Sequence, residues 1–173
     1  MALSNTDLLS VSEAKKANLD HWRNGVRLEA DGGCSISDLV QQTVRARLIL
    51  AEEMRRQGHL VWNLNPPIFR LTVNRFYYAL YHATRSLVFY VHGGDDHQEH
   101  KVVPAYIPSD FPDFQTWQNN LKDARTLRNE VDYNPYPEAD INWQLAATAM
   151  ATRADALIPL VINYLRTKGC TNL

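Results

Sequence analysis

Long apolar runs, paired cysteines and an excess of charge are all missing from this chain, and each absence removes a class of function. No uninterrupted apolar stretch approaches the roughly 18 residues that cross a bilayer. The residues after Met1, ALSNTDLLS, offer neither the basic start nor the apolar core of an export signal. The expectation is a soluble, unexported chain with no membrane role. The two cysteines, Cys34 and Cys170, lie far apart beside loop-like residues. They make neither a CxxC pair nor a disulfide framework, so a cytoplasmic setting is the default. With 18 basic and 19 acidic residues the formal charge is -1, and global electrostatics recruits neither nucleic acid nor an anionic membrane. Any polyanion site has to be local. Repeats, low-complexity tracts and convincing strands are also missing. What remains is 173 residues, 45% of them hydrophobic, enough for one core and too few for two ordinary domains.

Charge is distributed unevenly. From Leu39 to His92 seven arginines face only Glu52 and Glu53, whereas from Gly93 to Asn142 ten acids face four bases. Arginine outnumbers lysine 13 to 5. This matters because the planar guanidinium grips phosphate or carboxylate bidentately, while lysine acts as a point charge.

Turn signals at DGGCS, GHLVWNLNPP, GGDD, IPSDFP and YNPYP divide the chain, and between them the apolar period is close to 3.6. The spacing predicts a first helix over about Thr6 to Glu29, with Leu9, Trp22 and Val26 on a partly polar surface. A second starts near Ser37 with Val40, Val44, Leu48, Ala51 and Met54 and stops at Gly58. The third, about Ile68 to Val91, has the core stripe Phe69, Val73, Phe76, Leu80, Ala83, Leu87 and Val91. The fourth, about Asp113 to Tyr133, carries Phe114, Trp117, Leu121, Ala124, Leu127 and Val131. A fifth is capped by Asp140 and runs to Lys168 through Leu145, Ala149, Leu157, Val161 and Tyr164, with a kink at Pro159 and a stop at Gly169. The predicted fold is all-α: an up-and-down antiparallel four-helix bundle over 37–173, preceded by an N-terminal helical extension over 1–36.

The third helix has a second stripe, Arg75, Tyr78, His82, Arg85, Phe89 and His92, roughly opposite the apolar one. An ordinary exposed face would carry Lys, Glu and Gln. Here guanidinium, imidazole and aromatic groups suit an anion or a stacked base. The end of the fourth helix repeats the theme in ARTLRNEVDY, where Arg125, Arg128, Asn129 and Asp132 share one surface by i,i+3 and i,i+4 spacing.

The run NRFYYALYHATRSLV (74–88), a histidine-containing loop and then ARTLRNEVDY (124–133) together resemble the HEPN superfamily, and in particular its prokaryotic branch with the helix motif R-x-Y-Y-A-x-x-H-A-x-R. The resemblance spans about Leu39 to Leu165. It implies a usually dimeric four-helix bundle of a kind found in metal-independent endoribonucleases, toxins of toxin–antitoxin pairs and non-catalytic RNA-binding or partner proteins. The ribonuclease members carry an Arg, a polar residue and, after a short spacer, a His. Arg128 and Asn129 fill the first two places, and Tyr133 stands where the histidine would be.

A phenol with a pKa near 10 is a poor general base at neutral pH. Cleavage through the 2′-hydroxyl needs a base and cationic stabilisation of the phosphorane, and it needs no metal. His82 is the candidate base and Arg128 the candidate catalytic cation. Arg75, Tyr78, Arg85, Asn129, Asp132 and Tyr133 are candidate RNA- or nucleotide-binding residues. The loop GGDDHQEH (93–100) has a metal-like composition but reads as a flexible, solvated acidic loop with no metal. There is no GxSxG and no phosphate loop. No cofactor is expected.

Three functions follow as expectations. The first is an RNA- or nucleotide-binding protein of toxin–antitoxin or defence type with weak or lost catalysis. The second is an active metal-independent endoribonuclease. The third is a structural partner subunit of a nucleotidyltransferase or other defence complex. A homodimer is the expected assembly, with a nucleotidyltransferase-type antitoxin as a further partner.

Overall fold

The structure is a computed structural model and describes residues 4–136 and 142–173. The chain is all-helical: among the described residues there are six α-helices, one short 3-10 helix and no strand. By internal contacts it divides into two compact units, with the boundary between Val40 and Gln41. Each unit is described by itself.

The first unit holds α1 (Asn5–Ser12), α2 (Lys16–Gly32) and the start of α3 (Ile36–Trp62). The single helix expected over Thr6–Glu29 is therefore two. The Ser12 hydroxyl donates to the Leu9 carbonyl, and Lys15 is extended at the start of α2, so the helical ladder is interrupted between them. Ser4 and Asp7 form a reciprocal capping box on α1. Gly33 ends α2 at φ 62°, a left-handed conformation that a side chain would strain. Ser35 and Asp38 repeat the reciprocal cap at the start of α3. No residue of α2 is buried.

The second unit is built around α4 (Phe69–His92), which packs against α5 (Phe114–Tyr133), α6 (Trp143–Thr167) and the 3-10 helix Val103–Tyr106. Its expected core stripe is buried through Val73, Phe76, Leu80, Ala83 and Leu87, but Val91 is exposed. Tyr77, Ala79, Tyr81 and Val88 are buried as well, so α4 is enclosed on more than one face. The hydroxyls of Thr72, Thr84 and Ser86, fully buried, donate to carbonyls of their own helix, which removes the cost of burying them unpaired.

Gly58 does not stop α3, which continues to Trp62. A Cβ there would lie 2.8 Å from the Phe76 ring, so glycine is present because α4 comes that close. The break comes in the Pro66-Pro67 segment before α4. The inner face of α6 also differs from the expectation. Leu145 and Ala149 are exposed, and the core is made by Ala147, Met150, Ala154, Leu157, Ile158, Val161 and Leu165. Asn142 caps α6 by accepting from the Leu145 N–H; Asp140, the expected cap, lies outside the described residues. Pro159 sits inside the helix and denies the Asp155 carbonyl its helical donor. By length and composition α6 is apolar enough to cross a membrane, although Arg153 and Asp155 interrupt it and it holds no unbroken apolar run of that length. Its apolar residues supply one wall of the core.

Candidate functional site

One contact fixes where the end of α5 meets α4. Arg70, in the first turn of α4, donates from Nη2 to the carbonyls of Glu130, Val131 and Asn134 at 3.3, 2.6 and 3.2 Å. These are the orphan acceptors of a helix C-terminus, and a cation there also opposes the negative end of the helix dipole. The last turns of α5 are thereby held against α4, and Arg128 is brought to Tyr78.

Arg128 is the centre of the arrangement. Its Nη2 donates to the Tyr78 hydroxyl at 2.5 Å and its Nη1 to Asn129 Oδ1 at 3.2 Å. Nε lies 2.9 Å from Asp132 Oδ2 as an ion pair without the alignment of a hydrogen bond, and it is buried. Asp132 is in turn held by Asn74, whose Nδ2 donates to both carboxylate oxygens at 2.8 and 3.0 Å. The guanidinium lies 5.5, 5.4 and 5.1 Å from the ring centres of Tyr77, Tyr78 and Tyr133, within cation–π range of all three. Burial works against its charge, but the Tyr78 hydroxyl, Asp132 and Tyr133 outweigh that and raise its pKa. Tyr133 is 69% exposed, so the cation sits under an aromatic ring that is open to solvent.

The second stripe of α4 is not one open face. Arg75 turns toward α3 and approaches Met54 Sδ at 3.7 Å. Phe89 receives Arg47 of α3 over its ring at 4.2 Å. His92 meets the Tyr106 carbonyl at 3.0 Å. Only Tyr78 and His82 lie toward the Arg128 cluster. His82 is half-buried, stacked on Tyr78 with ring centres 6.1 Å apart and edge-on to Tyr81. Burial, reinforced by the charges of Arg85, His100 and Arg47, lowers its pKa to about 4, so it is neutral at pH 7 and a far weaker base than a free imidazole. Tyr78 stands between His82 and Arg128.

Arg85 is committed elsewhere. Its Nε donates to Asp95 Oδ1 at 3.0 Å, its Nη2 makes a short contact with Asp95 Oδ2, and Nη2 also donates to Gln98 Oε1 at 2.9 Å. Arg47 reaches the same carboxylate at 3.1 Å. Hydrogen bonds from Arg85, with the charges of Arg47 and Arg85, hold the Asp95 carboxyl below its ordinary range.

The loop after α4 is thus tied down, which corrects the expectation of a flexible, solvated segment. His97 stacks on Tyr106 at 3.4 Å, the Tyr81 hydroxyl donates to the Gln98 carbonyl at 2.6 Å, and His100 packs on Tyr81 with ring centres 3.9 Å apart. Asp95, His97 and His100, which look metal-like in sequence, serve as anchors. Among the described residues no three His, Cys, Asp or Glu side chains converge as a metal site.

Sequence reasoning missed Tyr77 and His100. Tyr77 was hidden because it alternates with residues of both stripes, and His100 because a loop has no period from which to place it. His100 Nδ1 and the Tyr77 hydroxyl share a hydrogen bond of 2.6 Å. Burial first, and then the charges of Arg128, Arg125 and Arg85, depress the His100 pKa, and burial pushes the Tyr77 phenol up. The signal available in sequence was the histidine-bearing loop between the two motif helices.

No family model matches the sequence, and no curated protein or solved structure matches it significantly.

Proposed function

We propose that this chain is a HEPN-like protein that binds RNA or a nucleotide through Arg128 and the tyrosines around it. In this reading α3, α4, α5 and α6 form the up-and-down four-helix bundle, and the protein works in a toxin–antitoxin or defence setting with weak or lost catalysis. The observation that carries the reading is the guanidinium of Arg128 beneath the exposed ring of Tyr133 and backed by Tyr77 and Tyr78. An aromatic face stacks any base, and the guanidinium beneath it, although engaged with Tyr78, Asn129 and Asp132, adds a cation–π-strengthened positive centre beside the stacked base. Asn74 and Asp132 act behind it by fixing where the cation points.

The site is short of a base. A tyrosine, Tyr133, stands where an imidazole would serve as the base, and His82 is neutral but weakly basic. A homodimer, or a complex with a nucleotidyltransferase-type partner, would cover the exposed Tyr133 and Tyr136 beside the site.

The test is binding of single-stranded RNA at low and high salt. Phosphate contacts give a steep salt dependence, and Arg128→Ala removes roughly 1.5–3 kcal/mol of binding. Salt-independent or absent binding overturns the reading and leaves a structural subunit.

A second reading, an active metal-independent endoribonuclease, is favoured by the one fact that His82 is uncharged at pH 7. It requires cleavage of RNA in EDTA that disappears in His82→Ala. Tyr133→His is the complementary variant, because it puts an imidazole beside Arg128 and creates cleavage if only the base was missing.

A further inference from the structure

We infer that His100 and Arg125 complete the site: the Nε2–H of His100, delivered by the loop after α4, and the guanidinium of Arg125 together hold a phosphate oxygen of a single RNA strand. This rests on the RNA-binding reading above and says how the phosphate is held.

Placement is the first argument. The rings of Tyr77 and Tyr78 each lie against both groups. Tyr77 is 5.6 Å from His100 and 5.5 Å from the Arg128 guanidinium; Tyr78 is 5.9 and 5.4 Å from the same two. The loop imidazole and the α5 cation therefore share one aromatic wall, although 28 positions separate them in sequence.

Orientation is the second. His100 is clamped by its stack on Tyr81, nearly parallel at 15°, and by the hydrogen bond between Nδ1 and the Tyr77 hydroxyl. Tyr77 is buried, and among the described residues its hydroxyl has no other hydrogen-bond partner. A buried O–H has to give its proton to the one acceptor in reach, so it donates to Nδ1. The neutral ring then carries its own proton on Nε2, which among the described residues has no partner. The groups around the ring are Tyr77, Tyr78, Tyr81, His82 and Arg85 from α4 and Arg125 and Arg128 from α5. None is an acid, so the ring is not held as an imidazolium. It serves as a donor to an anion and not as a proton acceptor, in keeping with weak catalysis.

Charge is the third. Arg128, Arg85 and Arg47 each face a carboxylate. Arg125 is half-buried one turn before Arg128 on the same side of α5, has no carboxylate partner among the described residues, and adds its charge to that of Arg128 at Tyr77 and His100. It is the cation of the cluster whose charge is not already balanced.

The experiment is fluorescence anisotropy with a short, unphosphorylated single-stranded RNA at several salt concentrations, with AMP as competitor. Arg125→Ala is expected to weaken binding about tenfold and to flatten the salt slope by about 0.7, the signature of one lost phosphate contact on a single strand. His100→Ala is expected to weaken binding about tenfold without changing the slope, because a neutral donor releases no counterion. His100→Gln, which can place an amide N–H near the position of Nε2, retains most of the affinity, and nitrogen NMR of the wild type shows the proton on Nε2.

If the wild type binds RNA and loses binding in Arg128→Ala but not in His100→Ala or Arg125→Ala, the inference falls and the RNA-binding reading stands. A proton found on Nδ1, or a flattened slope in His100→Ala, overturns the donor assignment. AMP competing as strongly as the strand overturns the choice of a strand phosphate over a terminal one. Absence of any RNA binding by the wild type removes the reading and the inference together.

Discussion

Twelve residues of α4 are buried and none of α2 is, although both helices carry an apolar stripe in the sequence. α2 is held by local contacts: the pairs Lys16–Asp20 and Arg27–Asp31, the glycine that closes its end, and Glu29, which accepts from the Ile36 N–H. Such local terms amount to a few tenths of a kcal/mol each, and helical stability in proteins comes mainly from packing. α4 has that packing, with α5 and α6 against it and Phe76 pressed onto Gly58 of α3. Trp22 and Val26 remain 45% and 68% exposed. An amphipathic period thus shows that a helix has a face to bury, and it does not show that anything buries it.

The largest effect expected from this contrast is at Phe76. Phe76→Ala should cost about 3–5 kcal/mol in a denaturant titration, because the fully buried ring leaves a cavity among helices that cannot collapse far. Gly58→Ala should cost about 1–3 kcal/mol, since the new methyl meets that ring at under 3 Å. Combining Gly58→Ala with Phe76→Leu should recover part of the loss; strict additivity would mean that the two positions do not touch.

Next comes the loop after α4. Asp95→Ala should free it from Arg85 and Arg47 and raise amide exchange from Gln98 to Lys101, while α4 itself stays protected. Equal protection in both proteins would show that the ion pairs are not what holds the loop.

The pH dependence follows from the neutral histidines. The unfolded chain binds a proton at His82 near 6.5 and the folded one only near 4, so unfolding takes up protons between these values. Stability therefore falls as pH drops from about 6.5 toward 4, and His100, shifted the same way, adds to the slope. Asp95, whose carboxyl is depressed, adds stability that is present above its unfolded value of 3.8 and lost as pH falls below it. His82→Phe should flatten the upper part of the Tm profile; an unchanged profile would mean that His82 is not shielded. The smallest effect is expected at Trp22, where Trp22→Ala should move Tm by no more than about 1–2 °C, in line with other exposed sites.

Much of the second unit was legible from period and turn chemistry. The ends of α4 and α5 fall within a residue or two of their predicted places, because Gly93 and Asn134-Pro135 are strong local signals. Misread positions are those where a residue acts through a neighbour distant in sequence. Gly58 looks like a helix stop but is a packing residue, Leu145 looks like core but is exposed, and Arg85 looks like a free phosphate ligand but is bound to Asp95. The site was half legible. Arg128, Asp132 and Tyr78 are marked by helical spacing, whereas Tyr77, His100 and Asn74 enter through contacts between elements.

That the chain is helical, where most helices end, and that α4 and the end of α5 carry arginines and tyrosines in place of an ordinary solvated surface can all be read from the order of residues. Those properties depend on neighbours within one or two turns, and residues three and four apart are already in contact once a helix forms. Which arginines meet a carboxylate, which histidine comes near Arg128, and the anchoring of a loop of acids and histidines follow from how the helices pack. Each of these depends on which groups meet across helices. A guanidinium, an imidazole or a carboxylate has no fixed chemistry until its desolvation and its partner are fixed as well.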